Sequence, residues 1–170
     1  MTDIFSKQKR SEIMSKVKSK DTKPELIIRK SLHKLGFRYR LHVNSLPGKP
    51  DLCFPARRAV IFVHGCQWHW HGCRRCRMPI SNQSYWLKKI GSNVMRDEIK
   101  IKDILRNQWR VLIIWECVTQ RSHIDKTIQL TIEWLNDPTL YYNQVDLNDK
   151  FNVCLIDGKS SILPSTLTSP

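Results

Sequence analysis

The sequence predicts one α/β domain, a mixed sheet flanked by helices, and three features carry that expectation. Ala59-Val-Ile-Phe-Val63 and Trp109-Arg-Val-Leu-Ile-Ile-Trp115 are continuous, largely apolar runs with polar neighbours. Runs without alternation belong to strands covered on both faces. Residues 85–108 join them with helical periodicity. A capped helix start precedes the first run and an amphipathic segment follows the second, which is the alternation of an α/β layer structure. At 170 residues and 41% hydrophobic, the chain suits a single core.

In order along the chain, residues 7–20 are polar and basic, with Ile13, Met14 and Val17 at helical spacing. They read as a short amphipathic helix or a mobile arm. Thr22 is placed to cap the next helix, and Glu25 completes a T-x-x-E capping box. Pro24 falls in the first turn, where its missing N–H costs little. Leu26, Ile27, Ile28, Leu32 and Leu35 form its buried face and Gly36 its stop. Residues 37–43 alternate as a strand does. Ser45-Leu-Pro-Gly-Lys-Pro50 is a turn cluster, and residues 51–54 open a short strand. Residues 64–82 are dense in His, Cys, Trp and Arg and lack periodicity. Gly91 lies inside the long helix. Ser122 is the expected cap of a last helix carrying Ile124, Ile128, Ile132 and Leu135. The chain from Pro138 onward has one strand-like run at 151–156 and a Ser/Thr/Pro end expected to fray.

Charge narrows the partner. The chain holds 29 Lys or Arg against 15 Asp or Glu, a net +14, with a pI near 9.8. Residues 1–110 carry +17 and residues 111–170 carry −3. A folded domain with one strongly basic part attracts a polyanion, nucleic acid first. Trp, Ile and Leu content argues against a disordered basic tail. No run approaches the ~18 apolar residues of a membrane span, and the N-terminus lacks the apolar stretch of a secretory signal. A reducing, cytoplasmic setting is therefore expected, nucleoid-associated through DNA.

In such a setting the six cysteines favour metal over disulfides. Cys66-x4-His71-x-Cys73 lies in the irregular stretch, and Cys117 follows the Trp109–Trp115 run. Thiolate and imidazole are the ligands of a structural zinc, which would order a loop that has little else to order it. Cys76 and His69 compete for ligand positions. Against this stands the reading of each free Cys as a small buried hydrophobe.

Pro50-Asp51 opens one strand and the next follows at once, the usual frame of a metal-dependent nuclease. There a carboxylate anchors Mg²⁺, which polarises a phosphate. Such frames normally carry Glu-x-Lys on the second strand. Here that stretch reads Ile61-Phe-Val-His-Gly65, so a main-chain carbonyl such as that of Val63 must replace the second carboxylate. His64 and His69 lie just beyond, and either is a reasonable base for water at neutral pH. Trp68, Trp70, Tyr85 and Trp86 flank the Cys/His stretch among Arg74, Arg75 and Arg77. Large apolar side chains in a basic region can wedge between base pairs. Trp70 reads better as packing.

These residues resemble the very short patch repair endonucleases, which nick DNA beside T:G mismatches. The matching stretches are Arg10-Ser11 with Met14, Asp21-Thr22 with Glu25, and Ser45-Leu-Pro-Gly-x-Pro-Asp51. They continue through Val60-Ile-Phe-x-His-Gly-Cys66, Trp68-His69, His71-x-Cys73 and Trp86-Leu-x-Lys-Ile-Gly91. Asn93, Arg96-Asp97 and Trp109-Arg-Val-Leu-Ile-x-Trp-Glu-Cys117 complete them, so the resemblance runs over about residues 10–135.

The resemblance implies a restriction-endonuclease-like fold with one structural zinc on Cys66, His71, Cys73 and Cys117. It implies Mg²⁺ on Asp51 and the carbonyl of Val63, where members usually carry Thr. It implies His69 as the base, with His64, Glu25 and Asp97 around metal, water and phosphate. The wedge positions are Gln67, Trp68 and Trp86, and Gln67 departs from the family's aromatic. Lys16, Lys18, Lys20, Lys89, Asn93 and Arg96 are expected on the DNA backbone.

Residues 1–20 then form a basic arm or helix, 21–136 the nuclease domain and 137–170 a C-terminal extension packed in part. The implied activity is a nick 5′ of the mismatched T, starting repair of deaminated 5-methylcytosine. A monomer is expected, with a cytosine-5 DNA methyltransferase and mismatch-repair factors as functional partners. The alternatives are a restriction-type nuclease cutting matched duplex and a zinc-stabilised DNA-binding module whose catalytic centre has lapsed.

Overall fold

The computed structural model describes residues 6–18 and 20–146. The strand expected at 151–156 and the frayed end lie outside them.

The first helix, α1 (Lys7–Ser15), is capped by Ser6, whose hydroxyl accepts from the Lys9 amide at 3.2 Å. Ile13, Met14 and Val17 are all exposed, so this segment buries no apolar face of its own. The capping box opens α2 (Lys23–Lys34). Thr22 Oγ1 donates to Glu25 Oε1 at 3.0 Å, and the Asp21 amide donates to Glu25 Oε2 at 3.0 Å. Ile28 and Leu32 are fully buried beneath it. Gly36 follows with φ +88, the left-handed stop that a residue without Cβ adopts freely.

The sheet has four strands in the order β1 (Leu52–Phe54), β2 (Ala59–His64), β3 (Arg110–Trp115) and β4 (Tyr142–Val145). β1 runs antiparallel to β2, with Leu52 opposite Ile61. β2, β3 and β4 are parallel, with Val63 opposite Ile114. The crossovers are α3 (Gln83–Arg106) and α4 (Ile124–Asn136). β2 and β3 are buried at every position, as expected of central strands covered on both faces.

Arg110 ties β3 to α4. Its guanidinium donates to the carbonyls of Trp134, Leu135 and Asp137 at 2.6–3.1 Å and lies 4.6 Å from the Trp134 ring centre. These last carbonyls lack helical partners, so the cation caps the negative end of α4.

Three expectations need correction, and one strand was not anticipated. Leu26 and Leu35, expected on the buried face of α2, are exposed. Residues 37–43 form no strand: only Arg40 bridges to Cys53. His42 has φ +46, which breaks an extended run, and Tyr39 Oη donates instead to the Arg29 carbonyl at 2.9 Å. Ser122 does not cap α4. A turn from Gln120 leads into the helix, and His123 sits at the cap position with no side-chain bond. β4 was not anticipated: its outward-facing Tyr141 neighbour and its polar Asn143 and Gln144 hide a short edge strand.

Candidate active site

The antiparallel register of β1 on β2 sets the centre of the site. Asp51 precedes β1, and its Oδ2 accepts from the Val63 amide at 2.8 Å. In an extended strand, a residue's N–H and C=O leave along the same edge. The Val63 carbonyl therefore faces the Asp51 side, beyond the last β1 pair at Leu52. Burial, seconded by the Glu25 carboxylate, pushes the Asp51 carboxyl from the ordinary 3.8 up to about 7, although the Val63 bond opposes the shift.

His64 ends β2 and is buried. Its ring stacks on that of His69 at 3.9 Å between centres and 9° between planes. Burial lowers the His64 pKa from 6.5 to about 3, so His64 is neutral at physiological pH. His69 Nδ1 is hydrogen-bonded to Asp97 Oδ2 from α3. Burial alone would raise Asp97. Its bond to His69, with the charge of Lys100 nearby, holds it below the usual carboxylate value. A carboxylate on Nδ1–H fixes the tautomer and turns the Nε2 lone pair outward, the arrangement a base for water needs.

Asp51, Val63, His64, His69, Asp97 and Glu25 line one cavity of about 660 Å³. Glu25 does so while saturated by its own neighbours. Besides the capping bonds it accepts from Arg29 Nη2 at 2.8 Å, and Arg29 also pairs with Asp21 and contacts His42 Nε2 at 3.0 Å. Sequence reading missed Arg29, because an Arg on a helix face gives no sign that it is 5% exposed. A half-buried carboxylate facing a main-chain oxygen is the hard-donor set that Mg²⁺ prefers, and the raised Asp51 pKa marks negative charge that a cation would offset.

Of the expected backbone contacts, Lys18, Lys20, Lys89 and Asn93 line the same cavity. Lys16, just after α1, and Arg96, hydrogen-bonded to Asn93 on α3, are exposed and do not line it. Trp68 lines the cavity, and its ring lies 5.9 Å from that of Trp86. Asn93 Nδ2 donates to the Trp68 carbonyl at 3.0 Å, fixing the loop to α3. Gln67 faces its own chain, its Oε1 accepting from the Arg77 amide at 2.8 Å.

Beyond the stacked imidazoles, one ligand atom each of Cys66, His71, Cys73 and Cys117 lies within 4.8 Å of the others. His71 Nδ1 is 3.8 Å from Cys66 Sγ and 3.5 Å from Cys117 Sγ. Those separations would suit two edges of a tetrahedral zinc site, since Zn–S and Zn–N bond lengths give an S···N edge of roughly 3.6 Å. Cys76 stands apart from this set and donates its thiol to the Cys66 carbonyl at 3.0 Å. His71 stacks on Trp115 at 4.3 Å, anchoring the cluster to β3.

A family profile described as DNA mismatch endonuclease Vsr matches residues 2–75. A protein named type II nicking enzyme V.XorIIP, from Xanthomonas oryzae pv. oryzae, is 48% identical over 117 residues, 69% of this chain and 86% of its own length. The chain belongs to the Vsr family of endonucleases. The Vsr DNA mismatch endonuclease of Escherichia coli is 41% identical over 117 residues, 69% of this chain and 75% of its own. Type II nicking enzyme V.NmeAIP of Neisseria meningitidis serogroup A is 43% identical over 124 residues, 73% and 89% of the two chains. Membership makes this chain a DNA endonuclease, and the mixed sheet with flanking helices fits a restriction-endonuclease-like fold. Among the described residues no helix is long and apolar enough to cross a membrane.

Proposed function

We propose that this Vsr-family chain nicks DNA 5′ of the T in a T:G mismatch, starting repair of deaminated 5-methylcytosine. The observation that carries the hydrolytic part is the convergence of Asp51, the His64–His69 stack and Asp97 on one cavity with basic walls. Relatives named as nicking enzymes and a mismatch endonuclease support single-strand cleavage at a mismatch.

The water oxygen forms a bond to phosphorus and the P–O3′ bond breaks, leaving a 5′-phosphate and a 3′-hydroxyl that takes its proton from solvent. His69 Nε2 accepts the water proton, and Asp97 holds the ring and stabilises the imidazolium that results. His64, held neutral by burial, adds a flat apolar wall and no competing charge. Asp51 and the Val63 carbonyl would hold Mg²⁺. When bound, the ion supplies charge neutralisation at the phosphate and the leaving oxygen.

Trp68 and Trp86 wedge beside the mismatch, which costs less to unstack than a matched pair. Cys66, His71, Cys73 and Cys117 hold a structural zinc. A T:G pair from 5-methylcytosine makes a cytosine-5 methyltransferase acting at the same sites the functional partner.

Asp51→Ala tests the centre against a lapsed binding module. Nicking of a T:G duplex should fall by roughly 10³-fold, the several kcal/mol a catalytic metal supplies, while binding to that duplex persists. Nicking at the wild-type rate would remove Asp51 from the reaction.

A further inference from the structure

β2 offers the cavity no lysine, but α3 does. Lys89, Asn93, Asp97 and Lys100 follow one another at spacings of four, four and three, and all four line the cavity. That spacing is one face of a helix. The same face that brings Asp97 to His69 therefore brings Lys100 to the wall of the same cavity.

Five lysines line the cavity: Lys18, Lys20, Lys49, Lys89 and Lys100. The first four are exposed and Lys100 alone is half-buried. Its stem runs along the turn ahead of Asp51. A Cβ at Gly48 would lie 3.0 Å from Lys100 Cδ and 3.3 Å from Phe62 Cζ, and Gly48 has φ +76. Glycine at that position thus leaves room for the lysine stem between the turn and β2. The positive charge of Lys100 is felt by both Asp97 and His64. Among the described residues its ammonium has no hydrogen bond or ion-pair partner; Lys102, by contrast, pairs with Glu98.

We propose that Lys100 is the fixed cation of the nuclease centre, its ammonium contacting a non-bridging oxygen of the scissile phosphate. The assignment rests on the hydrolytic reading above. As the water oxygen bonds to phosphorus and the P–O3′ bond loosens, charge shifts onto the oxygens in the transition state. A positioned cation in a partly dry site stabilises that charge more than it stabilises the bound substrate. The exposed lysines of the rim serve affinity and its salt dependence, since they meet phosphates equally in both states.

Single-turnover nicking at saturating protein separates the two roles. Lys100→Met and Lys100→Gln should each slow the nicking step roughly 10²-fold, the usual cost of one preorganised donor. The Kd for the duplex, measured in Ca²⁺, should move less than about threefold, because one phosphate contact among several is lost. Lys100→Arg should recover most of the rate. Melting temperatures show which variants fold, and Lys100→Gln decides if Lys100→Met does not. A folded variant that nicks at the wild-type rate, or whose loss lies wholly in Kd, overturns the assignment. Failure of the wild-type protein to nick any duplex would sink the hydrolytic reading, and the Lys100 assignment with it. Equal rates for wild type and Lys100→Met sink the assignment alone.

Discussion

Below about pH 7 Asp51 is mostly protonated in the fold, because burial and Glu25 raise its pKa from 3.8 to about 7. Between those values the folded state binds more protons than the unfolded chain. Stability therefore falls as pH rises from about 4 to about 7, and the dependence ends above the folded pKa. In chelator, Asp51→Asn should remove this dependence and melt higher than wild type at pH 8 by roughly 2 °C or more. Equal melting temperatures at pH 8 would mean that Asp51 is not destabilised by its surroundings. Trp68→Ala should reduce the preference for T:G over C:G by roughly tenfold, within the range of one lost base–aromatic stack, with less change in overall affinity. Equal losses in both would make Trp68 a packing residue. The residue types in the site were readable from spacing, but several of their bonds were not. Gln67 stands at an implied wedge position, and its bond from the Arg77 amide could not be read from spacing. The helical spacing of Lys100 from Asp97 puts both on one face, but neither its burial nor that of Arg29 could be read, since burial of a cation depends on what folds over it.

The Cys/His stretch is an element ordered by side chains. It has no strand or helix between His64 and Gln83, and its fixed points are the Cys66–His71–Cys73–Cys117 cluster, the Gln67–Arg77 bond and the Asn93 bond to Trp68. Cys73→Ser should lose bound zinc and lower the melting temperature by several degrees, read by metal analysis and calorimetry. A stable Cys73→Ser protein without zinc would show that the loop needs no ion. Elements with periodic patterns were legible: α2 from its capping box, β2 and β3 from continuous apolar runs, and α3 to within two residues. Where order comes from non-local contacts, local pattern misled. Residues 37–43 alternate like a strand, yet Tyr39 bonds to Arg29 and His42 turns left-handed. β4 pairs with β3 through a polar sequence because its partner, not its own residues, specifies the strand.

Across the molecule the charge divides as the sequence divides it. Residues 1–110, at +17, supply every lysine that lines the cavity, whereas residues 111–170, at −3, supply most of β3 and all of α4 and β4. If Lys16, Lys18, Lys20, Lys89 and Arg96 all meet phosphates, log affinity should fall with log salt at a slope of about −4.5. Lys18→Ala should make that slope shallower by about one, without altering which duplex is preferred. An unchanged slope would place Lys18 off the backbone. The central claim is that this charge delivers a mismatch to the Asp51–His69 centre. Nicking of matched-length duplexes carrying T:G, C:G or T:A at one position measures it most directly. The T:G duplex should receive a single nick 5′ of the T, roughly 10²-fold faster than the others, as a few kcal/mol of cheaper unstacking would give. Equal cleavage of all three duplexes would contradict it.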